Sequence, residues 1–353
     1  MQQINFHISS LKNIDWTGYT SELKNLSNYS GDKVLQNEIK SNVSKVCEGK
    51  NFLFVNSGTS ALELALMSLK LNNDDEVIVP SYTFSSCANA VIRANAKPVF
   101  CDVELKNLHA SINTILPLIS NKTKCIMIVE YGGIRANIGP IRKICDDKGI
   151  ILVLDSAQSF GATNKKYDET YLADFVCYSF HDTKNFSCGE GGLLIINNEF
   201  YLNDAQIMYE KGTNRLEFLR GKVEKYSWCD IGSSFILSNV NLLLLNFQLK
   251  IIDEIILKKF EAIEVYMNFL KKNNYNYIKA YSEHLKCSNR HIFWIILNNI
   301  KTRNELIKHF NSFKIEATTH YVPLHSSELA LKSGFKYSKD MRVTNLAGNC
   351  LIR

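Results

Sequence analysis

Proline, glycine and paired cysteines are scarce in this sequence. Its 353 residues include only 5 prolines and 17 glycines, which argues against long Pro-rich linkers and against a disordered or fibrous chain. None of the ten cysteines belongs to a C-x-x-C pair, and several lie inside apolar runs. We therefore expect buried free thiols and a reducing environment, the cytoplasm.

Long apolar runs and basic blocks are also missing. The longest apolar candidates are interrupted by Asn and Lys, so none is expected to span a membrane, and Met1–His7 lacks the basic and apolar regions of a signal peptide. The formal charge of +6 is mild and is spread along the chain, without a basic block interleaved with aromatics. Nucleic-acid binding is therefore not expected, whereas a weak positive bias suits an anionic small substrate.

Two common site fingerprints are absent as well. His181 has no partner at metal-ligand spacing, so no metal site is expected. No G-x-G-x-x-G follows the first predicted strand, which argues against a dinucleotide site.

The sequence does contain a regular alternation of short apolar strands and helical patterns, from about residue 50 to residue 200. Strands this continuously apolar are covered on both faces, so the pattern predicts an α/β fold with a mostly parallel sheet and helices on each side. In such sheets the ligand site lies at the carboxyl ends of the strands. The predicted strands are 52–55, 76–80, 98–101, 124–129, 150–155, 174–179 and 192–196, with a helix at about 139–148.

Beyond Trp228 the pattern changes. Residues 239–272 are rich in Leu, Ile and Lys at helical spacing, which predicts one long helix or a kinked pair. The elements predicted after it are a strand at 291–297, a helix at 302–313 and a strand at 316–321. We therefore predict a large domain of residues 1–240 and a smaller α+β domain of residues 241–353.

The most informative stretch surrounds Lys184, which lies between an apolar strand and the Gly-rich turn Gly189–Gly192. Upstream, Asp155 ends another apolar strand. A lysine on a tight loop and an aspartate at a strand end are the two groups that pyridoxal phosphate needs. The lysine forms the Schiff base, and the aspartate pairs with the pyridinium nitrogen so that the ring can act as an electron sink. Alone, Lys184 could be a surface charge and Asp155 a helix cap; together they predict a catalytic pair.

Hydroxyl side chains near these strand ends predict a phosphate cradle. Ser57–Ser60 lies between a strand and a helix, where amides and hydroxyls are well placed to bind phosphate, although Ser/Thr caps are common. We expect Thr59 and Ser60 to contact the cofactor phosphate, together with the hydroxyl of Ser179.

Two further side chains are expected beside the cofactor ring. Phe84 is predicted to stack on one face of the ring, and Gln158 to reach its flank. The alternatives are a core position for the aromatic side chain and plain surface polarity for the amide.

Four residues are candidate substrate contacts. His181 lies three residues before the lysine, and near the end of the chain His320 and His325 bracket the segment that begins with Tyr321. A structural or surface role is an equal alternative for the histidines.

These motifs, in this order, resemble the DegT/StrS-type sugar aminotransferases of fold type I. The segments that carry the resemblance are Asn56–Leu62, Asp75–Phe84, Asp155–Gln158 and Ser179–Lys184, and it extends from about residue 30 to the end. The resemblance implies that pyridoxal 5'-phosphate is held on Lys184 and that the three hydroxyl residues named above contact its phosphate. It also implies a homodimer whose sites lie at the subunit interface.

A narrower resemblance is carried by residues 210–215, 220–228 and 230–234. This block is similar to the branch of the family that moves an amino group from L-glutamate to C4 of dTDP-4-keto-6-deoxy-D-glucose. The product, dTDP-4-amino-4,6-dideoxy-D-galactose, supplies enterobacterial common antigen and lipopolysaccharide O-antigen. The resemblance implies that Arg215, Arg220 and Lys225 offer charge to the nucleotide diphosphate, and an ordinary surface role is an equal alternative for each. Many members carry an asparagine that reaches the partner's cofactor phosphate, and this chain has Ser227 at that position.

The end of the chain departs from the family pattern. Members usually continue with an Arg-Leu-Pro-Leu strand and a final helix, so residues 241–353 are expected to form a truncated domain. Two alternatives remain open: the same transfer at C3 or on a UDP sugar, and a truncated, inactive relative with a binding role. A pyridoxamine-dependent sugar dehydratase is disfavoured, because that class has histidine in place of Lys184.

Overall fold

The computed structural model describes residue 3 and residues 9–31, 33–162, 169–273, 275–283 and 287–353. Most of Met1–His7, on which the expectation of no signal peptide rests, lies outside these residues. Within them, the helices are α1 (Trp16–Lys24), α2 (Lys33–Val43), α3 (Gly58–Met67), α4 (Ser85–Arg93), α5 (Ile112–Ile115), α6 (Gly139–Lys148), α7 (Leu202–Tyr209), α8 (Arg215–Leu219), α9 (Asn239–Lys250), α10 (Ile252–Lys272), α11 (Ile300–Ser312), α12 (Glu328–Ser333) and α13 (Arg342–Cys350).

A seven-stranded sheet forms the centre of the fold. Its strands are β1 (Asn51–Val55), β2 (Glu76–Pro80), β3 (Lys97–Cys101), β4 (Thr123–Val129), β5 (Ile151–Asp155), β6 (Phe175–Ser179) and β7 (Gly192–Ile196), in the spatial order β1-β7-β6-β5-β4-β2-β3. The five neighbouring strands β2 to β6 run parallel to one another, and β7 is antiparallel to both of its neighbours. The predicted α/β fold with a mostly parallel sheet is therefore confirmed.

Both faces of this sheet are covered. On β1, Phe54 belongs to a core cluster that includes α2, α6 and α9, whereas Leu53 and Val55 belong to a second cluster that includes α3, α4 and α7. Successive side chains of a strand point to opposite faces, so a strand that is apolar at every position must be buried on both. This is why the strands read as continuous apolar runs.

The antiparallel direction of β7 places the carboxyl ends of β1, β5 and β6 at the same edge of the sheet. Because β7 runs antiparallel to both β1 and β6, β1 points the same way as β6. The carboxyl ends of β1, β5 and β6 therefore meet at one edge, which brings Ser57, Asp155 and Ser179 to the same side of the sheet.

A smaller antiparallel sheet has the order β10-β9-β8, with β8 (Ile278–Tyr281), β9 (Ile295–Leu297) and β10 (Leu351–Ile352). The predicted strand at 291–297 is shorter than expected, and the predicted strand at 316–321 is wrong. In the latter, Thr318 exchanges two backbone hydrogen bonds with Arg353, at 3.0 and 2.9 Å.

The helical segment 239–272 is the kinked pair, α9 and α10, and the break lies at Ile251. Eight of the ten cysteines are free and buried, while Cys229 is exposed and Cys287 is half-buried. Among the described residues, no helix has the length and apolarity that crossing a membrane requires. The same residues contain no His, Cys, Asp or Glu group that could hold a metal ion.

Candidate active site

A cavity of about 900 Å³ opens at the carboxyl edge of the seven-stranded sheet. One wall consists of the loops that follow β1, β2, β5 and β6, and the opposite wall consists of residues from α10, the segment 290–295 and the segment 310–321. The volume lies within the range of small-molecule sites, and the position is the one at which parallel sheets bind ligands.

Lys184 lines this cavity from the loop between β6 and β7. Backbone hydrogen bonds close the loop: the amide of Phe180 donates to Gly191 O at 2.8 Å, and the amide of Lys184 donates to His181 O at 2.9 Å. Burial lowers the pKa of the Lys184 amine, and the nearby charge of Asp155 opposes this shift. A lowered pKa increases the neutral, nucleophilic fraction of a lysine.

Asp155 ends β5, and its carboxylate is buried on the floor of the cavity. Cys87 Sγ donates a hydrogen bond to Oδ2 at 3.0 Å, and the amide of Ala157 donates to Oδ1 at 3.1 Å. Burial raises the pKa of Asp155, while these two donors and Lys184 act to lower it. The hydrogen bond from Cys87 was missed by the sequence analysis, because a small apolar residue within a helix carries no local signal of such a contact.

The N-terminus of α3 forms a cradle beside Ser179. Ser57 caps this helix, its Oγ accepting from the amide of Ser60 at 3.0 Å. A Cβ atom added to Gly58 would come within 2.7 Å of Ser179 Cβ, so only glycine permits this close approach. Thr59 lines the cavity, with its Oγ1 2.7 Å from Ser86 Oγ. The side chain of Ser60 turns away from the cavity and hydrogen-bonds Ser57 and Asn56.

Phe84, Gln158 and Tyr321 form an adjoining part of the wall. The Phe84 ring is 57% exposed, its centroid 6.2 Å from that of Tyr321, and is therefore accessible to a ligand. Gln158 Oε1 accepts from the amide of Gly132 at 2.7 Å, and its Nε2 donates to the Tyr321 hydroxyl at 3.0 Å. These bonds fix the orientation of Gln158.

The two predicted histidines occupy different environments. His181 lines the cavity, with Nδ1 2.9 Å from Thr183 Oγ1. His325 is buried outside the cavity wall, where its Nδ1 lies 2.7 Å from Ser81 Oγ. Its position in this chain is that of a buried, hydrogen-bonded side chain.

Arg215, Arg220 and Ser227 also lie outside the cavity wall. Arg215 pairs with Glu210 at 3.2 Å, and the amide of Ser227 donates to Asn214 Oδ1 at 2.8 Å. Arg220 is exposed. The cavity of this chain alone therefore includes none of the three, and any role for them requires a second subunit.

Several cavity residues from the C-terminal part of the chain were not predicted: Lys259, Arg290, His291 and Arg353. His320, which lies next to Tyr321, also faces the cavity, and its Nδ1 is 2.5 Å from the Tyr131 hydroxyl. Burial, together with the charges of Arg353 and Lys184, lowers the pKa of His320 to about 2, so this histidine is neutral at physiological pH. Lys259, Arg290, His291 and Arg353 have no motif, because their proximity arises only from tertiary structure.

A buried ion pair lies directly behind Asp155. Glu130, which follows β4, accepts a hydrogen bond from Arg135 Nη1 at 2.7 Å and another from Ser156 Oγ at 2.8 Å. Ser159 Oγ and the amide of Ala136 also donate to this carboxylate. The Glu130 and Arg135 side chains are 1% and 5% exposed. The network therefore holds the loop that follows β5.

The sequence profile of the DegT/DnrJ/EryC1/StrS aminotransferase family matches residues 22–351. The chain belongs to this family. Membership confirms the predicted family, the enzyme class and pyridoxal phosphate as the cofactor of this aminotransferase.

Curated relatives of the aminotransferase act on different sugars according to their names. It is 29% identical to the GDP-perosamine synthase of Escherichia coli O157:H7 over 77% of this chain and 72% of that protein. It is 26% identical to the dTDP-4-dehydro-2,3,6-trideoxy-D-glucose 4-aminotransferase of Saccharopolyspora spinosa, again over 77% and 72%. Among solved structures, Helicobacter pylori PseC, an aminotransferase involved in the biosynthesis of pseudoaminic acid, superposes with a TM-score of 0.87 at 20% identity, covering 99% of this chain and 93% of that chain.

The residues on the cavity wall fit pyridoxal phosphate. Because Gly58 lies close to Ser179, the amides at the start of α3 and the Ser179 side chain are near each other. Together they suit a phosphate. A half-buried lysine and a buried carboxylate lie at the same edge of the sheet. These are the groups that would carry the Schiff base and the ring nitrogen.

Proposed function

We propose that this aminotransferase moves an amino group from L-glutamate to C4 of dTDP-4-keto-6-deoxy-D-glucose. The product would be dTDP-4-amino-4,6-dideoxy-D-galactose, a precursor of surface polysaccharide. The observation that carries the proposal is the convergence of Lys184 and Asp155 on one cavity, each within electrostatic reach of the other.

Each wall residue has a defined task under this proposal. When bound, pyridoxal phosphate supplies the electron sink that makes the α-proton of glutamate acidic. Lys184 removes that proton and, in the second half of the reaction, returns one to C4 of the sugar. Asp155 holds the proton of the ring nitrogen, and Phe84 covers the ring. Thr59 and Ser179 bind the phosphate with the α3 amides.

The choice of sugar has support of two kinds. The segment 210–234 resembles the branch that acts on dTDP-4-keto-6-deoxy-D-glucose. The Saccharopolyspora relative is likewise named as a 4-aminotransferase of a dTDP sugar. A GDP-linked sugar is the second candidate, because GDP-perosamine synthases from three organisms are among the relatives.

We also propose that the enzyme works as a homodimer. The segment 214–231 exposes Phe218, Tyr226, Trp228 and Ile231, with Trp228 at 79% and Ile231 at 72% exposure. Large apolar side chains clustered on a surface favour a protein contact. A second subunit on this face would allow Ser227, Arg215 and Arg220 to act in the site of the partner.

The proposed function is tested by the absorption spectrum of the purified protein with pyridoxal phosphate. We expect a visible band from cofactor bound to Lys184, which L-glutamate converts to the band of the aminated cofactor. Adding dTDP-4-keto-6-deoxy-D-glucose should then restore the first band, whereas a GDP-linked keto sugar should not. The absence of any response to L-glutamate in folded protein would refute the proposed donor, and restoration by the GDP sugar alone would favour the second candidate.

Cys87 provides a separate test of the role of Asp155. Replacing it with alanine removes the 3.0 Å hydrogen bond to Oδ2 and should raise the pKa of Asp155 further, weakening its hold on the ring nitrogen. We expect about tenfold weaker cofactor binding for Cys87→Ala, since hydrogen bonds to charged groups contribute roughly 1.5–3 kcal/mol and a thiol is a weak donor. Cys87→Ser, which keeps a donor, should retain affinity. Absorption titration with pyridoxal phosphate measures both, and equal affinities for the two variants would contradict this role.

A further inference from the structure

Helix α10 contributes one continuous face to the cavity. Lys259, Ala262, Ile263 and Tyr266 line it, at spacings of three and four residues that place them along one side of a helix. The last three offer mainly apolar surface, so Lys259 is the charged member of this face. The side chain is half-buried and not free in solvent.

Lys259 also differs from its neighbour Lys258 in having no acidic partner. Among the described residues it makes neither a hydrogen bond nor an ion pair, and burial alone lowers the pKa of its amine. Its neighbour Lys258 points to solvent and pairs with Glu254 at 2.6 Å. A half-buried cation without a counter-ion is unfavourable unless a ligand supplies the opposite charge.

Arg290 is a second cation of the same cavity wall. Arg290 lines the same cavity, and its guanidinium lies 4.2 Å from the ring centroid of Phe260, the residue that follows Lys259. Stacking on an aromatic ring leaves the edge of a guanidinium available for hydrogen bonds to a phosphate. Two cations that line one cavity suit a ligand with two negative charges.

We propose that Lys259 and Arg290 form the subsite for the diphosphate of the nucleotide sugar. This inference rests on the proposed function, because it assigns the anion of the proposed acceptor to named residues on this chain. The Arg215 and Arg220 side chains, by contrast, do not line the cavity of the same chain.

The two substrates need their negative charges at different distances from the reacting nitrogen. The α-carboxylate of glutamate is on the carbon that carries this nitrogen, so it must lie close to Lys184. The diphosphate is attached at C1 of the sugar, across the ring from C4. Lys259 and Arg290 come from α10 and the segment 290–295, on the wall opposite the loop that carries Lys184, and this placement suits the diphosphate.

The test compares adjacent lysines in the holoenzyme. Lys259→Gln should bind dTDP roughly 10- to 100-fold more weakly than the wild-type protein in isothermal titration calorimetry, since a charge-assisted contact to phosphate is lost. Lys258→Gln, the matched control on the exposed side, should bind dTDP normally. Lys259→Arg should recover most of the affinity, because it restores the charge.

The glutamate half-reaction distinguishes the possible failures. With L-glutamate, Lys259→Gln should convert the cofactor band at the wild-type rate and with the wild-type KM for glutamate. Equal dTDP affinities for the Lys258 and Lys259 variants would overturn the subsite while leaving the proposed function intact. A raised KM for glutamate with unchanged dTDP binding would also overturn it and assign Lys259 to the donor. Failure of the wild-type protein to respond to glutamate would instead refute the proposed function.

Discussion

Replacing Lys184 with alanine is expected to lower the rate of the glutamate half-reaction by at least about 10⁴-fold. The substitution removes both the amine that would carry the cofactor and the base that would move the α-proton, and general-base catalysis alone contributes about 10²- to 10⁴-fold. Stopped-flow absorption after mixing holoenzyme with L-glutamate measures this rate. The visible band of lysine-bound cofactor should also be missing before any donor is added.

The fold should survive this change. Within the described part of the chain, the Lys184 amine makes no hydrogen bond or ion pair, and burial disfavours its charged form. Thermal unfolding of the apoprotein should therefore occur at or above the wild-type temperature. Lys184→Arg is the matched variant, because it keeps the positive charge but not a nucleophilic amine, and it should be equally inactive. Turnover by Lys184→Ala at a rate near that of the wild type would refute the assignment.

Replacing Glu130 with alanine is expected to cost about 3–5 kcal/mol of unfolding free energy. The Arg135 guanidinium, 5% exposed, would lose its 2.7 Å carboxylate partner, and breaking a buried ion pair from one side leaves an uncompensated charge. Ser156 and Ser159 would lose an acceptor as well. Urea denaturation measures the loss, and the linear dependence of free energy on urea allows the variants to be compared.

Two controls identify buried charge as the cause of this loss. The double variant Glu130→Leu with Arg135→Met removes both charges and should be more stable than Glu130→Ala. Glu254→Ala, which removes the exposed partner of Lys258, should cost at most about 1 kcal/mol. If the double variant were no more stable than Glu130→Ala, the network would act through packing and not through charge.

The same network makes stability depend on pH in a defined direction. Burial alone would raise the pKa of Glu130, but Arg135 and the hydrogen-bond donors outweigh it, and the pKa lies below its ordinary value. A carboxyl group with a lowered folded-state pKa stabilises the protein above its unfolded pKa, near 4.3, and loses this contribution as the pH falls through the folded pKa. The urea midpoint of the wild type should therefore fall more steeply below about pH 4 than that of Glu130→Gln.

Local sequence predicted the seven-stranded sheet and the functional residues at its carboxyl edge well. The strands around Leu53 and Asp155 are apolar at every position, and this pattern follows directly from burial on both faces. Lys184 could be found because its loop combines an apolar strand with a glycine turn. These signals lie within a few residues of the feature they predict.

Contacts between distant segments could not be predicted in the same way. Cys87, which contacts Asp155, is 68 residues away from it in the sequence. The sequence around Lys259 likewise does not indicate whether its side chain faces solvent or a cavity. The strand predicted near Thr318 is wrong, and the backbone hydrogen bonds of Thr318 go to the distant residue Arg353. Such features depend on which surfaces the tertiary fold brings together.

The two walls of the cavity differ in origin. The sheet edge carries Lys184, Asp155 and the α3 cradle, whereas the opposite wall comes from α10 and the segments 290–295 and 310–321. Because Lys184, Asp155 and the α3 cradle lie on the other wall, the proposed subsite allows substitutions around Lys259 to change the fit of an acceptor while these groups stay in place.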